Sequence, residues 1–176
     1  MAFARPKKLQ DEASLYEYAV AALGRRMRPV AELKRLLRRR VVPGELGDCL
    51  VEMVIIRLKD QKYLSDSNYA AMYSSLRRDN QKFGRRRVIT ELKTRGVHAE
   101  VIEEAVAGAF DGVNEETQAR QYLRRKRLHK PTNDKESARI FRALIRAGFG
   151  TRTIFSVLKK WDVDDEVLSA LEAEQE

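Results

Sequence analysis

One cysteine in 176 residues, Cys49, excludes an internal disulfide framework and a cysteine-rich zinc site. The two histidines, His98 and His129, stand 31 positions apart and form no local His-pair metal motif. Only four prolines and nine glycines punctuate the chain, and no run alternates strongly enough to make a strand. No uninterrupted apolar stretch approaches the roughly 20 residues a membrane helix needs. The start, Met1-Ala-Phe-Ala-Arg-Pro-Lys-Lys, lacks the apolar core of a secretory signal. A soluble, cytoplasmic protein with no membrane contact is expected. Catalytic sets are missing too. Ser14, Ser65, Ser74 and Ser75 have no nearby histidine. Gly24, Gly44, Gly47, Gly84 and Gly96 sit at turns without the Lys-Ser/Thr or GxGxxG context of a phosphate loop. Neither enzymatic activity nor a cofactor is expected.

Positive charge is what the chain has in excess. Lys and Arg number 35 against 26 acids, a net charge of +9, and 23 of the 35 are Arg. Arginine is the side chain suited to clamping phosphate or carboxylate with a planar fork. By segment the charge is +5 over 1–60, +3 over 61–110, +8 over 111–160 and −7 over 161–176. A basic body with an acidic end often marks an interaction protein, although each basic cluster also reads as the solvated face of a helix.

Periodicity predicts helix nearly throughout. Between Val30 and Val41, the residues Val30, Leu33, Leu36, Leu37 and Val41 share one arc, and Lys34, Arg35, Arg38 and Arg39 share the opposite one. Pro29 suits the first turn of that helix. Ser65 and Asp66 are caps for a helix carrying Tyr69, Ala70, Tyr73 and Leu76. Val88, Ile89 and Leu92 line another, stopped at Gly96. Asp111-Gly112 and Pro131–Asp134 mark loops.

The pattern recurs. Ile89-x2-Leu92-x3-Gly96-Val97 corresponds to Phe141-x2-Leu144-x3-Gly148-Phe149 and to Leu33-x2-Leu36-x3-Arg40-Val41, at offsets of 56 and 52 residues. A helix precedes each (Tyr16–Leu23, Tyr69–Leu76, Thr117–Leu128) and another follows. The expected fold is therefore all-α, with three tandem three-helix repeats stacked into an elongated, curved array. The expected boundaries are an N-terminal tail 1–13, repeats 14–61, 62–112 and 113–161, and an acidic C-terminal helix or tail 162–176.

Within this frame the sequence resembles the RecX family of bacterial recombination regulators. The resemblance lies in Ala22-Leu23-x-Arg25 with Glu32-Leu33, in Tyr63-Leu64-Ser65-Asp66-x2-Tyr69-Ala70, in Arg77 and Gly84-Arg85-x-Arg87-x3-Glu91-Leu92-x3-Gly96-Val97, and in Arg142-x-Leu144-x3-Gly148-Phe149. It covers roughly residues 14–160. Pro29 stands where the family usually has a serine cap, and Arg40 where a glycine usually closes the helix. The resemblance implies a protein that binds RecA filaments on single-stranded DNA, directly or through RecA. There it would restrain recombinase, ATPase and co-protease activity in DNA repair and the SOS response. The candidate contact residues are Arg25, Arg26, Lys34, Arg35, Arg38, Arg39, Arg77, Arg85, Arg86, Arg87, Arg124, Arg125, Lys126 and Arg127. Their charge would attract a phosphate-rich complex or pair with carboxylates on a protein. A monomer is expected. The competing reading is a helical nucleic-acid binder that needs no RecA.

The remaining notable residues read as structure. Tyr18, Tyr69, Tyr73 and Tyr122 sit at helical spacing among Ala and Leu, which favours core packing over base stacking. Cys49 reads as a small buried apolar residue. Trp161 reads as a cover for the last helix pair, and His98 as a turn residue. Asp162, Asp164, Asp165 and Glu166 read as acids at the positive end of a short final helix. A sharper reading folds this segment over a basic face.

Overall fold

Asp11 begins the first helix by accepting the amide of Ser14 at 2.8 Å, and this contact holds its carboxyl below the ordinary value. The computed structural model describes residues 8–173. Residues 1–7 of the expected tail and 174–176 of the acidic segment lie outside the described residues. The helices are α1 (Glu12–Arg25), α2 (Val30–Arg38), α3 (Glu45–Asp60), α4 (Asp66–Leu76), α5 (Arg85–Thr94), α6 (Ala99–Ala109), α7 (Glu115–Arg125), α8 (Asp134–Ala147), α9 (Thr151–Lys159) and α10 (Asp165–Ala173). Among the described residues the sole β feature is an isolated parallel bridge from Leu9 to Val41. The chain is all-α, as its periodicity predicts.

Two units divide the chain. The first takes residues through Ala70 together with Leu92–Ile102; the second takes Ala71–Glu91 and everything from Glu103 onward. In the first, α1, α2 and α3 pack on one another around Leu15, Ala19, Leu33, Leu37, Val51, Ile55 and Leu58. In the second, α7 to α10 enclose Tyr122, Leu123, Phe141, Leu144, Phe149, Ile154 and Leu168. Each such leucine or phenylalanine contributes about 1.5–3 kcal/mol by leaving water. The arc read on the α2 wheel points inward as expected, with Leu33 and Leu37 fully buried.

Pro29 lies just outside α2, at its N-cap, and not in the first turn. Proline offers no side-chain acceptor for the free amides there. Asp66 supplies one instead: its Oδ1 accepts the amide of Val30 at 2.8 Å. The end of α2 differs from its counterparts in a related way. Gly96 and Gly148 close α5 and α8 in the left-handed region, at φ +83° and +89°. The next amide in each case reaches back to the helix, Val97 to Leu92 O and Phe149 to Leu144 O, both at 3.2 Å. Arg40 takes no positive φ. Its carbonyl accepts the amide of Leu9 at 2.7 Å, so α2 stops at Arg38 and Val41 enters the bridge.

Two local expectations are corrected, at Cys49 and at the end of α7. Cys49 is exposed on α3, because the inward face of that helix is already filled by Val51, Val54, Ile55 and Leu58. Leu76 is exposed: steps of about 100° per residue turn Ala70 and Ser74 inward and carry Leu76 to the side. Beyond it the backbone widens into a π turn, Arg77–Gln81, closed by Lys82 at φ 57°. The helix expected over Thr117–Leu128 ends at Arg125, with Arg127 in the left-handed region. Of the four tyrosines read as core, Tyr69 and Tyr122 are buried, while Tyr18 and Tyr73 are half-buried.

Candidate functional site

In the first unit the basic residues of α2 separate onto two sides. Lys34 pairs with Glu52 at 2.7 Å and Arg38 with Asp48 at 2.9 Å, both partners lying on α3. Arg35 and Arg39, one position further round, face elsewhere. Arg35 donates to the carbonyls of Ala31 at 3.2 Å and Arg95 at 3.4 Å. Arg39 makes no ion pair among the described residues. Between them and the start of α2 lies Glu32, which takes Arg26 and Arg28 on one oxygen and Arg95 on the other, at 3.4 Å. These side chains line an open pocket of about 490 Å³. Arg25, at the end of α1, is exposed.

Position in the second unit is set by close backbone approach. The amide of Gly84 donates to Ala147 O at 2.8 Å and that of Arg86 to Gly148 O at 3.2 Å. The free amides at the start of α5 thus meet the free carbonyls at the end of α8, each satisfying the other's orphan groups. A Cβ on Gly84 would strike Gly148, and one on Gly148 would strike Arg87. The first unit holds the same kind of junction, where a Cβ on Gly96 would meet Ala31 near the start of α2 at 2.6 Å. The two junctions are related by the 56- and 52-residue offsets found in the sequence.

Around that anchor, Arg77 and Arg87 flank Glu91 at 3.0 and 2.9 Å, and the Tyr73 hydroxyl donates to Glu91 at 2.7 Å. Burial opposes ionisation of Glu91, but the hydrogen bonds from Tyr73 and Arg87 and the charge of Arg77 outweigh it and hold the carboxyl below its ordinary value. Arg87 also lies over the Phe83 ring at 5.6 Å, Phe83 packs on Tyr122 at 6.3 Å, and Lys126 lies over Tyr122 at 5.9 Å. A cation–ring–ring–cation row therefore brings the start of α5 to the end of α7. Burial pushes the Tyr122 hydroxyl up, against the pull of Arg146 and Arg87. Arg125 reaches Gln81 at 3.5 Å, and Arg85 lies over Phe110 at 5.8 Å beside a pocket of about 250 Å³. Arg86, Arg124 and Arg127 are exposed.

The expected residues are thus all placed, but not as equals. Arg26, Lys34, Arg38, Arg77 and Arg87 are held by acids and Arg35 by backbone carbonyls; Arg39, Arg86, Arg124 and Arg127 are exposed and make no ion pair among the described residues. Arg95, Phe83 and Arg146 went unread as site residues. The Arg95-Gly96 pair carried a helix-end signal only, and nothing local in the sequence places Arg146 near Tyr122. Among the described residues no group of three or more His, Cys, Asp or Glu could hold a metal ion, and no helix is long and apolar enough to cross a membrane.

Over 170 residues the chain is 34% identical to the regulatory protein RecX of Myxococcus xanthus, spanning 89% of this chain and 87% of that protein. The chain belongs to the RecX family. The family model described as "RecX, second three-helix domain" matches residues 65–106, from the cap of α4 through most of α6. The regulatory protein RecX of Chromobacterium violaceum is 31% identical over 129 residues, 73% of this chain and 81% of its own length. Among solved structures, RecX from Lactobacillus salivarius matches with a TM-score of 0.67 at 19% identity. That match covers 86% of this chain and 96% of the other, a likeness of fold. The two departures from the RecX pattern read in the sequence, Pro29 and Arg40, are the two places where α2 is capped and closed by other means.

Proposed function

We propose that this protein is a non-catalytic regulator of the RecA recombinase. It associates with RecA filaments on single-stranded DNA and inhibits their recombinase, ATPase and co-protease activities, and so acts in DNA repair and recombination. The observation that carries this reading is the near-full-length similarity to a regulatory protein RecX. Two physical features support it. Unpaired arginines stand on the surface of both units, which suits an anionic partner. The glycine junctions fix the starts of α2 and α5, so the arginines beside them sit on rigid elements. The reading places the protein in the cytoplasm, with RecA as partner and no cofactor.

The test is DNA-dependent ATP hydrolysis by RecA with DNA in excess and this protein substoichiometric to RecA. Inhibition is expected, and masking of bare DNA cannot produce it under those conditions. No inhibition, together with tight binding to bare DNA, would instead assign the protein to RecA-independent nucleic-acid binding.

A further inference from the structure

We propose that the arginine pocket beside α2 is a direct binding site for the phosphate backbone of a single nucleic-acid strand. It deepens the regulatory reading, because the strand would be the one that reading places inside the filament. Five guanidiniums (Arg26, Arg28, Arg35, Arg39 and Arg95) line the pocket around a single lining carboxylate, Glu32. Glu32 is already engaged by three of them. Arg28 keeps a buried Nε without a hydrogen-bond partner among the described residues. Like charges held this close repel, and an anion that enters relieves the repulsion.

The spacing selects a chain of charges over a single one. Glu32, Arg35 and Arg39 follow one another at three- and four-residue steps along one side of α2, and Arg28 joins them from the extended turn before Pro29. The seven steps from Glu32 to Arg39, at 1.5 Å each, make a stripe about 10 Å long. A strand with one phosphate per roughly 3.4 Å of duplex axis, and fewer when extended, lays up to about three phosphates along it. No aromatic ring lines the pocket, so backbone contact without base stacking is the recognition it offers. The other basic side of α2 is not equivalent, since α3 already neutralises Lys34 and Arg38.

The experiment measures binding of the full chain to a labelled oligo-dT by fluorescence anisotropy across a salt series, without RecA. It compares Arg35→Gln/Arg39→Gln with the charge-matched Arg57→Gln/Lys59→Gln on α3. The stripe variant is expected to lose roughly tenfold in affinity at moderate salt, its salt slope falling by about 1.4 for two lost phosphate contacts. The α3 variant is expected to keep the wild-type slope. If the stripe variant does not fold, Arg39→Gln alone is expected to lower the slope by about 0.7. Equal losses in the two double variants would overturn the proposal, leaving only long-range attraction. So would a stripe variant that binds DNA normally but no longer binds RecA filaments, which would hand the stripe to protein carboxylates. A wild-type protein that binds DNA through the stripe yet leaves RecA hydrolysis untouched keeps this site and removes the regulatory reading.

Discussion

The amide of Arg86 donates to the carbonyl of Gly148 across 62 positions of sequence, at 3.2 Å. With the Gly84–Ala147 bond beside it, this contact sets the start of one helix against the end of another without any intervening side chain. It works only while Gly148 lacks a Cβ and holds φ at +89°.

Gly148→Ala should therefore destabilise the protein by about 1–3 kcal/mol, from strain in the left-handed region and overpacking against Arg87. Gly84→Ala should fall in the same range by overpacking alone. Gly108→Ala, where nothing lies within 4 Å, should be neutral or gain about 0.5–1 kcal/mol as a helix-interior glycine is removed. Urea unfolding of the three variants checks the ranking; similar values for Gly108→Ala and Gly148→Ala would contradict it.

Asp66 caps a helix it does not belong to, because Pro29 cannot. Asp66→Ala should cost about 1 kcal/mol in thermal or urea melts, with Asp66→Asn retaining most of the stability. An alanine variant as stable as the parent would mean that the Val30 amide finds another acceptor.

Glu91 carries an acid-side dependence. Its folded pKa is lowered, so its contribution to stability is fully present above the ordinary glutamate value of about 4.3. That contribution is lost as pH falls through the lower folded value. Glu91→Gln should remove it: the variant should be less stable than the parent at pH 7, and the gap should narrow toward pH 3. Parallel melting curves for the two proteins over that range would contradict the assignment.

Cys49 is open to solvent on α3. A thiol reagent such as 5,5′-dithiobis-(2-nitrobenzoate) should label it fully in the native protein, with no lag and without denaturant. Labelling that waits for unfolding would restore the buried reading made from the sequence.

Much of this structure was legible beforehand for identifiable reasons. The repeat showed because Leu92, Gly96, Leu144 and Gly148 serve the same packing junction twice, so identical constraints left identical residues. The α2 wheel separated Leu33 and Leu37 from the arginines because burial acts on helical period. The exposure of Cys49 is not legible because an apolar residue announces its type and not its azimuth against a neighbour. The π turn at Arg77–Gln81 has no compositional mark. In the candidate site, charge density found the arginines. It could not tell Arg38, neutralised by Asp48, from Arg39, which is not, since that depends on where α3 lies. Arg95 joins Glu32 from 63 positions away, a distance no local pattern spans.

Recognition of a RecA filament is open to a direct sedimentation assay. Preformed RecA filaments on single-stranded DNA should carry this protein into the pellet at concentrations where the same DNA without RecA leaves most of it in the supernatant. Equal recovery with filament and with bare DNA, or none with the filament, would contradict filament recognition.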